Sequence, residues 1–304
     1  MSVKMTVYEI KQKIAELEAQ LKMMESAESD IKIFMDEAER EKLHQEDLQR
    51  IRGFRLIDDD FMNVCFDGYI EGTELLLRII LNKPDIHVKR VTTQKVMKNL
   101  QGRDIWLDID ADDDEGVEYN IEIQRADRGA GFKRARYHSS ILDAHLLKPK
   151  EDFSKLPETY VILITENDVI RKGKPLYIVE RRIVNIDETF NDGEHIIYVN
   201  GADKNTSTAL GRLMHDFFCT NADDMNYREL ADKVRYFKED EKGIDTMCKV
   251  MEDMRNETAK KAAEQEKLSI AQSLIKMGKL SMEEIASSVQ LSLEKVQELA
   301  LQIA

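Results

Sequence analysis

The stretch that most restricts the fold of this chain is residues 102–125, GRDIWLDIDADDDEGVEYNIEIQR. Residues 104–110 and 118–124 each alternate apolar and polar side chains at period two, as strands with two unlike faces do. The polar turn DDDEG joins them into a hairpin centred near Glu115. In the first strand Trp106, Asp108 and Asp110 share one face, and Ile105, Leu107 and Ile109 the other. In the second, Tyr119, Ile121 and Ile123 share a face, and Asn120, Glu122 and Gln124 the other. This register sets Asp108 opposite Glu122, and directly opposed side chains have Cβ atoms about 4.5–5.5 Å apart. Two carboxylates held that close repel unless a cation lies between them. Hard oxygen ligands on neighbouring strands suit Mg²⁺ or Mn²⁺. Asp110, Asp112, Asp113, Asp114 and Glu115 fall near or in the turn, where Asp is ordinary, and read as a solvated face. Asp inside a strand is disfavoured, which sets Asp108 and its partner Glu122 apart.

The surrounding sequence alternates strand and helix patterns. Residues 160–164 (YVILI) form a continuous apolar run, the mark of a strand buried on both faces. Residues 176–183 and 195–199 are further strands; 71–81, 132–147, 206–218 and 227–238 carry helical spacing. Interleaved strands and helices predict an α/β domain over residues 53–240. The two ends are helical extensions. Residues 1–52 contain Val7, Ile10, Ile14, Leu17, Leu21 and Met24, a heptad seam of nearly three repeats. It reads either as a short coiled coil that pairs two chains or as an amphipathic helix packed on its own domain. Residues 241–304 begin with a long charged helix. A hairpin of two short helices follows Gly278, with Ser281 and Glu284 spaced as a capping box. The hairpin resembles a minimal helix-turn-helix, but its second helix offers Lys295 against Glu294 and Glu298. A structural hairpin is favoured over a DNA-reading one.

Charge narrows the partners. The 304 residues carry a formal net charge of -14, which argues against a protein that coats nucleic acid non-specifically. The charge is unevenly placed: residues 101–122 hold one basic and nine acidic side chains, whereas 123–150 hold seven basic and two acidic. In the second block Arg125, Arg128, Lys133, Arg134 and Arg136 can meet a phosphate backbone, or form a solvated face beside the acidic block; the first is favoured. Tyr137 can stack on a base or pack half-buried. Three dispersed cysteines, no membrane-length apolar run and no signal-peptide core at the N-terminus lead us to expect a cytoplasmic protein without a membrane partner. No P-loop, dinucleotide fingerprint, nucleophile elbow or metal-binding histidine spacing occurs.

These residues resemble the PD-(D/E)xK nuclease superfamily, and more closely its recombination-promoting nuclease and transposase branch. The resemblance rests on Leu107-Asp108-Ile109, on Asn120-Ile121-Glu122-Ile123-Gln124, and on the basic segment Lys133-Arg134-Ala135-Arg136-Tyr137. It rests also on the opening Asp59-Asp60-Phe61-Met62 and the helix Glu74-Leu75-Leu76-Leu77, and it spans about residues 54–240. It implies a restriction-endonuclease-like α/β core with a mixed central sheet flanked by helices. It further implies an Mg²⁺- or Mn²⁺-dependent endonuclease acting on DNA, with a role in recombination or mobile elements. By resemblance Asp108 and Glu122 would hold the metal. The carbonyl of Ile123 would add a ligand, and Glu74 is either a further metal acid or a plain surface acid. Gln124 stands where the superfamily's name puts Lys. In this branch Gln is usual; it can orient water by hydrogen bonds but carries no charge. The alternative is a catalytically degenerate nuclease fold that serves as a DNA-binding or assembly module.

Overall fold

A computed structural model describes residues 37–99, 102–125 and 127–303. The heptad seam at residues 7–24 lies outside them. The described residues form two compact units: one is Leu48–Met247, the other takes in residues 37–47 together with 248–303.

The larger unit is built on a six-stranded mixed sheet in the order β1-β2-β3-β4-β8-β5. Its strands are β1 (Val88–Met97), β2 (Ile105–Asp113), β3 (Glu118–Gln124), β4 (Thr159–Thr165), β5 (Leu176–Val179) and β8 (Glu194–Asn200). A separate two-stranded ribbon pairs β6 (Arg182–Ile183) with β7 (Glu188–Thr189). The sequence reading ran β5 and β6 together as one strand. The β2–β3 hairpin is antiparallel, with Ile109 opposite Ile121 and Asp112 opposite Glu118. β3, β4 and β8 run parallel, and Glu122, Leu163 and Tyr198 share one row. Every residue of β4 is buried, as its unbroken apolar run requires. Each fully buried Ile or Leu there contributes about 1.5–3 kcal/mol.

Helices cover the sheet. α1 (Glu37–Gly53) leads into α2 (Asp59–Phe66) and α3 (Ile70–Leu81), both of which pack on β1. α4 (Phe132–Leu146) is the crossover between the parallel strands β3 and β4. Its Ala135, Ile141 and Leu142 join Val161, Leu163 and Tyr198 in one buried cluster. Polar contacts fix its register: Ser139 donates to Glu194, Thr159 to Asp143 at 3.3 Å, and the Tyr137 hydroxyl to the Arg103 carbonyl at 2.6 Å. α5 (Ala209–Phe218) and α6 (Arg228–Glu239) complete the layer that contains Phe217, Leu230 and Val234.

In the smaller unit, the part of α7 (Glu241–Met277) from Cys248 onward, α8 (Met282–Val289) and α9 (Leu293–Ile303) bury Ala271, Leu274, Ile285, Val289, Val296 and Leu299 together. The capping box forms: Glu284 N–H donates to Ser281 Oγ, and Ser281 N–H to Glu284 Oε2. Arg255 donates to the buried Asp47 at 2.6 Å. Among the described residues no helix is long and apolar enough to cross a membrane.

A candidate metal and nucleic-acid site

The site begins where a ladder ends. β2 runs back to Ile105 and β3 forward to Gln124, but their pairing stops at Ile109–Ile121. The Ile123 N–H is left without a β2 carbonyl and donates instead to Asp108 Oδ2 at 2.8 Å. In an extended strand a residue's N–H and C=O point to the same edge. The Ile123 carbonyl therefore faces the same gap as Asp108.

Glu122 is 1% exposed. Arg134 Nη2 lies 3.4 Å from its Oε2. His138 Nδ1 lies 3.3 Å from Oε1, yet Oε1 has no hydrogen bond. Burial first, and the Glu122 charge second, push the Asp108 carboxyl well above the ordinary carboxylate range. Asp59, in the first turn of α2, also sits above its ordinary range. Burial is the main cause, followed by Asp60, with Asp58 and Glu122 adding to it and Arg125 opposing. Asp59 is one of the charges felt by Asp108. Asp108 and Glu122 thus face one another, Asp59 is near enough for its charge to be felt by Asp108, and one buried Glu122 oxygen has no hydrogen bond. Arg134 meets part of the Glu122 charge, and the Asp108 and Glu122 oxygens are of the kind that suits Mg²⁺ or Mn²⁺.

The segment leading into α2 is held firmly. Lys238 of α6 donates to the carbonyls of Arg52, Phe54 and Thr220, and burial lowers its amine to about 8. Asp58 accepts from Arg55 at 3.0 Å and from Arg125 at 2.9 Å. A pocket of about 460 Å³ opens here, lined by Gly53, Phe54, Arg55, Asp58, Asp59, Asp60 and Arg125.

The expected residues divide. Asp108 and Glu122 come together, with the Ile123 backbone and Gln124 at the same strand end. Gln124 packs over Gly129, where a Cβ would fall 1.7 Å from its Oε1. Glu74 does not join them. Its carboxylate accepts from Val88 N–H at 3.0 Å and pairs with Arg78 at 3.1 Å. Val88 is paired with Asp113, five residues along β2 from Asp108, roughly 17 Å away. Of the basic residues, Arg134 touches Glu122, while Lys133 and Arg136 are exposed on α4. Arg125 is committed to Asp58 and Glu166. Arg128 lies in a 3-10 turn, and its side chain is outside what the structure describes. The Tyr137 hydroxyl, besides its bond to Arg103, accepts from Asn99, so its ring is anchored in packing rather than presented to a base. Asp59 and His138 were not singled out as site residues from sequence. The run of three acids at 58–60, opening a helix, was the signal for the first.

Two acids expected to be solvated are not. Asp110 is wholly buried between Arg90 at 2.6 Å and Lys95 at 2.7 Å. Asp113 closes the hairpin by accepting from the N–H groups of Glu115 and Val117 and from the Tyr119 hydroxyl. His215, Asp216 and Cys219 form another group with ligand atoms close together. There, Asp216 already accepts from Asn226 and Tyr227 N–H and from the Asn226 amide, which is the work of a buried cap.

A mixed sheet of this order, flanked by helices and carrying acids on adjacent strands, is of the restriction-endonuclease-like class. The chain itself belongs to a defined family within that class: the family model described as PD-(D/E)XK nuclease family transposase matches residues 73–273. Neither a curated protein nor a solved structure matches it.

Proposed function

We propose that this chain is a divalent-metal-dependent endonuclease that hydrolyses phosphodiester bonds in DNA. The observation that carries the reading is the placing of Asp108 against Glu122 where the β2–β3 ladder ends, beside a buried Glu122 oxygen that has no hydrogen bond. When bound, Mg²⁺ or Mn²⁺ supplies Lewis acidity at the scissile phosphate and lowers the pKa of a water. Asp108, Glu122 and the Ile123 carbonyl would hold the ion, with the Asp59 charge nearby. The Ile123 N–H orients Asp108, and Arg134 orients Glu122. Gln124 aligns the attacking water through its amide, without the charge a lysine would bring. Lys133 and Arg136 present positive charge to the phosphate backbone. The family description, a nuclease family transposase, supports strand breakage in transposition, and we extend the reading to recombination. We assign pairing of two chains to the heptad seam at residues 7–24, and place the protein in the cytoplasm.

Calorimetric titration with Mn²⁺ tests the site directly. Binding that disappears in Asp108→Asn and weakens in Asp59→Asn supports it. A wild-type chain that binds no Mn²⁺ contradicts it and favours a degenerate fold acting as a binding module.

A further inference from the structure

Among the described residues, seven other than glycine take a positive φ, and six of them lie at helix ends or in turns and loops. The seventh, Gln94, has a φ of 53° inside strand β1. Gly or Asn meets such a conformation at little strain, whereas Gln does not. The backbone kink has a use of its own: just beyond it, Lys95 reaches the buried Asp110 at 2.7 Å. Gly would serve that use better, so the side chain at this position needs a separate account. The register places it. Thr93 pairs with Ile109 and Lys95 with Leu107, which sets Gln94 opposite Asp108. That is one strand spacing, about 4.8 Å, on the side of β2 away from β3. Its polar neighbours on β1 are engaged: Arg90 and Lys95 with Asp110, and the Thr93 hydroxyl with Asp67 at 3.2 Å. Gln94 is exposed, and its amide has no hydrogen bond among the described residues.

We propose that Gln94 is a substrate-positioning residue, whose amide donates to a phosphate of the DNA strand beside the one cut at Asp108. The inference deepens the nuclease reading and rests on it for the place of the scissile phosphate. A neutral amide suits this position. It offers two N–H donors to phosphate oxygens, and unlike Lys or Arg it is not drawn to the neighbouring acids as a counter-ion. Arg90 and Lys95, the cations on the same strand, are already spent in that way on Asp110. A contact to the phosphate backbone fixes register and orientation and carries no sequence preference.

Gln94→Gly is the discriminating variant, because Gly keeps the backbone conformation without strain and removes only the side chain. Binding of the full-length protein to two labelled duplexes of unrelated sequence is read by fluorescence anisotropy in EDTA. Gln94→Gly should weaken binding to both by about tenfold or more, as loss of a hydrogen bond to a charged group does. Its thermal midpoint should hold or rise, and its Mn²⁺ affinity by calorimetry should stay within about twofold of wild type. Gln94→Glu, of the same size but repelled by phosphate, should bind DNA more weakly still. Unchanged DNA binding by Gln94→Gly overturns the proposal. A loss shared by DNA and Mn²⁺ binding overturns it too, since it marks Gln94 as a support of the Asp108 site rather than a DNA contact. Weakening confined to one duplex overturns the phosphate contact in favour of a base edge. Cutting in Mg²⁺ is scored separately. A wild type that binds but does not cut contradicts only the nuclease reading. A wild type that cuts, beside a Gln94→Gly that binds and cuts equally well, contradicts only the role of Gln94.

Discussion

Asp108 does two things with one carboxylate. It takes the N–H that the parting of β2 from β3 leaves free, and it brings negative charge against Glu122. Strand alternation made the pair legible in the sequence, because period two fixes which residues face each other. Asp59 was less legible, since its approach depends on how α2 lies on the sheet, which no local pattern contains. Glu74 shows the reverse: an acid at the expected kind of place, already used to bind β1 and Arg78. Gly129 is a quieter participant. A Cβ there meets only the flexible end of Gln124. Gly129→Ala should therefore leave the thermal midpoint nearly unchanged while lowering DNA cutting about tenfold or more, as expected when a water-orienting group is displaced. Midpoint and cutting rate are measured on the same preparation. Glu118 gives a pH test. Burial, then Asp110 and Asp112, push it up to about 7, against the pull of Arg90 and Lys95. Its folded pKa lies above its unfolded one, so the folded state binds the extra proton between about 4.5 and 7, and stability falls as pH rises through that window. Glu118→Gln should stabilise the protein at pH 8 by about 1 kcal/mol, and by much less at pH 5. Thermal melts at the two pH values check the sign.

At the scale of elements, the strongly periodic segments were recognisable and the edge was not. β3, β4, α4 and α6 lie within a residue or two of their expected bounds, because burial on one or both faces imprints a clear pattern. β1 escaped notice. Its sequence VKRVTTQKVM is mostly polar, it sits at the sheet edge, and Gln94 takes a positive φ of 53° that breaks the alternation. Its Arg90 and Lys95 neutralise Asp110, so the hairpin acids expected in water are a buried ion cluster instead. The capping box of α8 was legible outright, since Ser281 and Glu284 need only their own spacing. Ser281→Ala should cost about 1 kcal/mol and speed amide exchange in the first turn of α8, with little effect on exchange in β4. Hydrogen exchange followed by mass spectrometry separates the two regions.

For the whole molecule, net charge misleads and its distribution informs. The -14 total includes a block at residues 101–122 in which acids outnumber bases nine to one. Part of that block surrounds the proposed ion and part is neutralised inside the fold. The basic block that follows places Lys133 and Arg136 on the open side of α4. If these meet phosphates, Lys133→Gln and Arg136→Gln should each flatten the dependence of log binding constant on log salt by about 1. Fluorescence anisotropy across a salt series measures that slope. The central claim is that the carboxylates converging on the β2–β3 gap make a hydrolytic metal centre. Its most direct test is relaxation of supercoiled plasmid in low salt with Mg²⁺ or Mn²⁺, comparing wild type with Asp108→Asn and Glu122→Gln of unchanged thermal midpoint. We predict metal-dependent nicking by the wild type and its loss in both variants. Nicking that survives either substitution, or a wild type that cuts with neither metal, contradicts the account.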